Sequence, residues 1–326
     1  MESRQILVVT ASRSLKRHIT RALASASFDV HHAPPEIPSV GQALELRPDM
    51  CIVDIDEHQE EVAWLLDTLR EKYPQVIGLL VSQDHEMPFL REKLEAKNLG
   101  NLIAKHGGVA ATTSEIIDES ELIVTCQKLF LRDIFGLDKY MRTWGIKIHE
   151  VEIEGTASKP CVMERLEQFL DQIDCYGAVK GAVLLVADEL FMNAVFNAPR
   201  DAFGRPKYAT WARDREVVLE PHERATFRFA CDGRHVGISA KDQFGGLERD
   251  VILRYLKQSF TGGSADVEEK AGGAGLGLHM IFNSITQLVF NVEVGVATEV
   301  LALFYARSGS LAFKSSGRSL NIFYVE

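Results

Sequence analysis

Val186-Ala-Asp-Glu-Leu-Phe-Met-Asn-Ala-Val-Phe-Asn197 is the stretch that decides how the second half of this chain folds. Its apolar residues fall within a longer run, 178–198, that reads as a buried helix. Polar residues interrupt the run at Lys180, Asp188, Glu189, Asn193 and Asn197. Glu189 and Asn193 stand four apart and so share one helix face. In an otherwise apolar helix both need partners, because an unpaired buried polar group is costly. A polar pair near a helix end would explain them equally well.

Two more segments stand downstream. In Ile238-Ser-Ala-Lys-Asp-Gln-Phe-Gly-Gly-Leu247 an apolar strand ends in Asp242 and a glycine turn. A carboxylate there can accept a hydrogen bond from an exocyclic amine, and glycines let a flat ring approach the backbone. A plain strand-and-turn accounts for it too. Ala271-Gly-Gly-Ala-Gly-Leu-Gly-Leu-His-Met-Ile-Phe282 is a glycine cluster opening an apolar helix. Glycine turns aim backbone N–H groups at phosphate, and the helix N-terminus adds partial positive charge. No strand of a βαβ unit precedes it, which argues against a dinucleotide-binding fold. Around these segments the patterns of 146–153, 226–230, 236–241, 288–294 and 298–305 predict strands, and 162–173 a helix. The second half is therefore read as α+β, with a polar, irregular surface insertion over 198–221.

The order Glu-x-x-x-Asn, Asp-x-x-Gly-Gly, Gly-x-Gly-Leu-Gly-Leu, then a Thr in the final hairpin resembles the successive motifs of the Bergerat-type (GHKL) ATP-binding fold. Sensor histidine kinases, anti-sigma-factor serine kinases and gyrase share that fold. The resemblance spans about 146–305. It implies that Asn193 ligates Mg²⁺, Asp242 binds the adenine amino group and Gly246 lies along the ring. It further implies that Gly273, Gly275 and Gly277 cradle the phosphates of ATP, with Lys270 as a phosphate contact and Thr298 supporting the pocket. Residues 250–272 would be the lid. Glu189 resembles the general base of members that hydrolyse ATP or phosphorylate serine. Phe244 departs from the pattern, since the family usually has Gly there, and a phenyl ring would narrow the adenine pocket. His149 stands before this domain in an alternating stretch that favours a strand over the phospho-acceptor helix of histidine kinases. The lead-in to Glu189 looks like that of the serine kinases.

The first 105 residues alternate short apolar runs with helical patterns, as in a parallel sheet covered on both faces. Pro34, Pro35 and Pro38 make the second strand the least defined. Arg47-Pro-Asp-Met-Cys-Ile-Val-Asp54 resembles the third strand of a response-regulator receiver, with Asp54 as phospho-acceptor candidate. Ser82 and Lys105 match the receiver's hydroxyl and lysine positions. Receivers hold Mg²⁺ with an acidic pair after the first strand, and here that place reads Thr10-Ala11-Ser12. With fewer hard oxygen ligands, metal-assisted phosphorylation of Asp54 should be impaired, although Asp56 offers partial compensation. The resemblance implies a flavodoxin-like α/β domain, read here as a degenerate receiver used for docking or dimerisation.

The expected organisation is a receiver-like domain over 1–112, a helical connector over 113–144 and the GHKL domain over 145–326. A formal charge of −10, without any Lys/Arg run, argues against nucleic acid as a partner. Hydrophobic residues at 46% and charged residues at 25% suit a globular protein. The five cysteines show no metal-ligand spacing. No apolar stretch is long enough for membrane insertion, so the expected location is cytoplasmic. The expected activity is Mg·ATP-dependent phosphoryl transfer to Ser/Thr on a partner protein, in partner switching or a two-component-like pathway. Two alternatives stand beside it, a nucleotide-gated binding module without turnover and a histidine kinase acting on an external His domain. A homodimer through the connector or receiver is open, as is packing of the connector on its own receiver.

Overall fold

The computed structural model describes residues 4–83, 99–105, 117–142, 145–253, 285–306 and 317–326. The chain divides into two compact units. One comprises Met1–Asp133 with Ser315–Asn321, the other Ile134–Lys314 with Ile322–Glu326.

The first unit is built on five parallel strands: β1 (Gln5–Val9), β2 (Asp29–Ala33), β3 (Met50–Asp54), β4 (Ile77–Ser82) and β5 (Asn101–Ala104). They lie in the order β2-β1-β3-β4-β5. Residues Ile6, Val8, Met50, Ile52, Leu79, Val81 and Ile103 form a core with Leu15 and Ile19 of α1 (Arg13–Ser25) and with Leu122 and Cys126. The alternate strand residues, such as Leu7, Cys51, Val53 and Leu80, are equally buried. Val40 and Leu44 of α2 (Ile37–Glu45) and Leu65, Leu66 and Leu69 of α3 (Gln59–Glu71) supply their cover. Burial on both faces is why these strands read as unbroken apolar runs. This is a doubly wound α/β unit of flavodoxin-like strand order. The prolines fall where they cost nothing: β2 ends at Ala33, immediately before Pro34, and Pro38 opens the first turn of α2.

Leu122 and Cys126 belong to α4 (Glu119–Leu131), in the middle of the stretch expected as a connector. The apolar stripe of α4 packs on α1, with Leu129 and Phe130 against the same core. Asp118 caps the helix through its carboxylate, which accepts from the N–H groups of Ser120 and Glu121. Residues 113–144 therefore fall on both sides of the division between units, and Leu137–Tyr140 forms a short 3-10 turn of the second. The sequence reading missed a final strand. Within the first unit Leu320 and Asn321 pair antiparallel with Leu102 and Asn101, and the Ser319 hydroxyl and Asn321 amide donate to Glu121.

The second unit carries β6 (His149–Ile153), α5 (Lys159–Gln172), α6 (Gly177–Phe196), β7 (Ala225–Cys231), β8 (His235–Asp242), β9 (Gln287–Glu293) and β10 (Ala297–Tyr305). Its strands are antiparallel in the order β9-β10-β8-β7-β6. Helix α6 packs on α5 and on β8 and β10, with Val183, Val186, Ala187, Phe191 and Val195 fully buried. The segment around Leu137 and Met141 takes the other face at Gly237, where a Cβ would come within 2.7 Å of both side chains. On that face Glu299 is completely buried, accepting from Gly136 N–H at 2.8 Å, Asn291 Nδ2 at 2.9 Å and Ser239 Oγ at 3.2 Å. The α+β reading of this unit agrees with its secondary structure.

Candidate functional site

In the first unit the polar groups gather at the carboxyl ends of β1, β3, β4 and β5, the edge where doubly wound sheets place their ligands. Lys105 Nζ stands 2.5 Å from Asp54 Oδ1 and 2.7 Å from Asp56 Oδ2. The Thr10 hydroxyl donates to Asp54 Oδ2 at 2.8 Å, and Ser82 Oγ donates to Asp56 Oδ1 at 2.5 Å. Gln83 N–H adds a bond to Asp56 at 3.0 Å. The Asp54 and Lys105 side chains are only 7% and 10% exposed, so this charge network is largely withdrawn from water. Thr10 thus gives Asp54 a proton donor at the end of β1. Ser12 serves as N-cap of α1. The described residues contain no group of three or more His, Cys, Asp or Glu arranged for a metal.

In the second unit, Asp242 and Thr298 are directly paired across β8 and β10. Paired residues share a face, and Asp242 continues the row of Ile238 and Ala240, opposite to the face that Gly237 presents to Leu137. This is the face available to α6. Burial pushes the Asp242 carboxyl above its usual range, opposed by N–H donors from Phe244, Gly245 and Thr298. The Phe244 donor lies at 2.8 Å. Phe244 therefore closes an Asx turn with its backbone, and its side chain is half-buried. The Thr298 hydroxyl is buried without a partner.

On α6, Glu189, Asn193 and Asn197 form a polar row at i, i+4 and i+8. Asn197 Nδ2 donates to Asn193 Oδ1 at 2.6 Å. Burial raises the Glu189 carboxyl above its ordinary value, opposed by Arg213 and by a hydrogen bond from Asn193. Oε2 faces Arg213 Nη1 at 3.6 Å, whereas Oε1 is buried and has no donor. The neighbouring Asp188 turns to Lys159 at 2.5 Å.

The sequence reading missed Arg200 and Arg213, both in the insertion over 198–221. Arg200 Nη2 donates to Gly246 O at 2.6 Å, and a Cβ on Gly246 would collide with its guanidinium. Arg213 approaches Glu189. The available signal was density of cations: Arg200, Arg205, Lys207, Arg213 and Arg215 crowd one short polar stretch of an acidic chain. The insertion is irregular, as expected, but it is tied down. Glu223, 1% exposed, accepts from Lys207 Nζ at 2.7 Å and from Glu220 N–H at 3.0 Å. Tyr208, Val217 and Leu219 are buried beneath it.

Lys270, Gly273, Gly275 and Gly277 lie outside the described residues, as does nearly all of the expected lid. His149 lies in β6, stacked on Phe229 with ring centroids 5.0 Å apart and an interplanar angle of 3°. It is a strand histidine in an aromatic cluster.

No family model and no curated relative matches the chain. Several solved structures are similar to its N-terminal part. A response regulator from Thermotoga maritima is 18% identical, covering 40% of this chain and 98% of its own, with a TM-score of 0.33. The receiver domain of an HD domain-containing protein from Pseudomonas fluorescens Pf-5 is 16% identical over 40% of this chain and 90% of its own, with a TM-score of 0.34. The chemotaxis response regulator CheY4 of Vibrio cholerae is 17% identical over 40% and 98%, with a TM-score of 0.30.

Proposed function

We propose that this chain is an intracellular signal-transduction protein in which a receiver-like unit accompanies an ATP-binding unit of the GHKL type. The observation that carries the reading is the Asp242–Thr298 pair. A half-buried carboxylate and a buried, unpartnered hydroxyl share one face at a strand end followed by glycines. Glu189 Oε1, likewise buried and without a donor on α6, supports it. Polar atoms left unpaired in a native fold call for a ligand or an ordered water.

In this reading Asp242 accepts from the adenine amino group, Thr298 supports it and Asn193 contributes an oxygen to Mg²⁺. One protein ligand suffices for Mg²⁺, which keeps several waters and takes further oxygens from phosphates. Asn193 Oδ1 retains a lone pair beside its bond from Asn197. Bound Mg·ATP would supply an activated phosphoryl group. Glu189, with its carboxyl shifted toward neutral pH by burial, would take the proton of a Ser/Thr hydroxyl on a partner protein. Lys270, Gly273, Gly275 and Gly277 belong to the same proposal as phosphate ligands.

A second reading has an observation of its own. Arg213 faces the Glu189 carboxylate and competes for the role of its proton partner, which favours a module that holds ATP and closes on a partner without turnover. For the receiver-like unit we favour docking over phospho-switching, because Lys105 bridges both carboxylates and Thr10 replaces an acid.

The test is equilibrium binding of ATP to the full chain, with and without Mg²⁺. Asp242→Asn should reduce affinity at least tenfold, about 1.4 kcal/mol, and Asn193→Ala should abolish the Mg²⁺ dependence. Wild-type chain that binds no ATP defeats the reading. If Glu189→Ala preserves signalling while Asn193→Ala destroys it, the module without turnover is correct. Acid-stable phosphate on a partner after incubation with labelled ATP supports serine or threonine transfer, and acid-labile phosphate supports histidine.

A further inference from the structure

Among the described residues β6 is the last strand of its sheet, paired only with β7. Such a strand leaves alternate N–H and C=O groups unpaired along its outer edge. Helix α5 does not close over this edge. A cavity of about 260 Å³ lies between them, lined by His149, Glu150, Val151, Arg165, Phe169 and Gln172 among others. A second, of about 550 Å³, shares His149, Phe169 and Gln172 and continues past Lys147 and Ile146 toward Cys231 and Gly233. The opening is therefore elongated and follows the strand.

Its floor is aromatic. His149 stacks on Phe229, and Phe169 tilts against both rings with centroids at 5.0 and 5.1 Å. Burial and the nearby Lys147 lower the His149 pKa, which favours the neutral ring. Arg165 is exposed on α5 at the wall of the groove and makes no hydrogen bond or ion pair among the described residues. The opposite face of β6 carries glutamates paired with arginines, three carboxylates against two guanidinium groups. Glu150 pairs with Arg228 at 2.7 Å, and Glu152 and Glu154 both reach Arg224 at 2.8 and 2.9 Å. A second copy docking antiparallel on this edge would set one row of glutamates against another, which is unfavourable.

We propose that the β6 edge and its groove bind an extended segment of a protein partner as an added strand. The segment carries apolar side chains at alternate positions over His149 and Phe169, a carboxylate at Arg165, and basic side chains over Glu150 and Glu152. Backbone pairing supplies affinity in such complexes and alternate pockets supply selectivity. The proposal concerns the opposite side of the function from nucleotide binding and does not depend on it.

The test uses the full chain and the synthetic peptide Lys-Val-Lys-Phe-Lys-Asp-Lys, which alternates as the groove requires. Its control is Lys-Lys-Val-Phe-Asp-Lys-Lys, equal in composition and charge. The alternating peptide should slow amide hydrogen exchange across 149–153, and the control should not. Arg165→Glu, at an exposed helix position, should keep the fold and weaken binding about tenfold, equivalent to roughly 1.4 kcal/mol. Equal binding by the control, unprotected β6 amides, or unchanged affinity in Arg165→Glu would each overturn the proposal. So would β6 protection that rises with protein concentration alone, which would assign the edge to a second copy.

Discussion

Gly245 shows how one residue's backbone constrains this site. Its φ is +58°, and a Cβ there would collide with the carbonyl oxygen of Glu293 and lie 2.7 Å from the amides of Gly295 and Val296. Both obstacles are backbone, so nothing swings aside. Gly245→Ala should cost more than about 2 kcal/mol in a denaturant melt. Gly246→Ala should cost less, because its obstacle is the end of the Arg200 side chain. Asp232 sets a pH dependence. Burial alone would raise its pKa. Backbone N–H donors of His235, Arg142 and Arg234, with the His235 ring 3.6 Å away, overcome that and hold it well below the usual carboxylate range. A depressed folded pKa gives stability that is complete above the unfolded value, about 3.9, and is lost as pH falls through the folded one. Asp232→Asn should therefore lower stability at pH 7 and flatten the acid limb below about pH 4, as measured by melts across pH 2–7. The glycine pair and Asp242 were legible as residue types. The collision at Gly245 was not, because its partner is roughly fifty positions away in sequence.

Among the elements, periodicity placed the long helix and most strands within a few residues of their observed ends, but not β2 or the final strand. The α6 sequence reads as buried because it is apolar nearly all round, and α5 and the sheet take its faces. The stretch 113–144 was harder. A stripe of apolar residues states that a helix buries one face, but not against what. The α4 stripe is spent on α1 and the first unit's own core. The insertion over 198–221 lacked periodicity altogether, yet one buried carboxylate organises it. Glu223→Ala should release Lys207 and Tyr208, cost about 2 kcal/mol, and change the fluorescence of Trp211, whose ring packs edge-on against Tyr208 at 4.9 Å. An unchanged Trp211 signal would mean that the insertion is held by its apolar residues alone.

For the whole molecule, the two units should respond to ligand separately. If the second unit binds ATP, a free concentration about 100 times Kd stabilises it by roughly 2.7 kcal/mol. Proteolysis should then slow within residues 145–306 and remain unchanged within 4–83, whereas equal protection in both would show linked unfolding. The amino-acid sequence by itself determined the doubly wound class of the first unit and the α+β class of the second. Apolar periodicity and turn residues are local properties, and they suffice for that. Only the tertiary structure decided that Thr10 and Lys105 close around Asp54, that Arg213 reaches Glu189, and that Ser319–Asn321 returns to pair with β5. Among the described residues, it also decided which strand ends the sheet. Each of these joins residues far apart in the chain, and the geometry that joins them is fixed by packing, which no local pattern encodes.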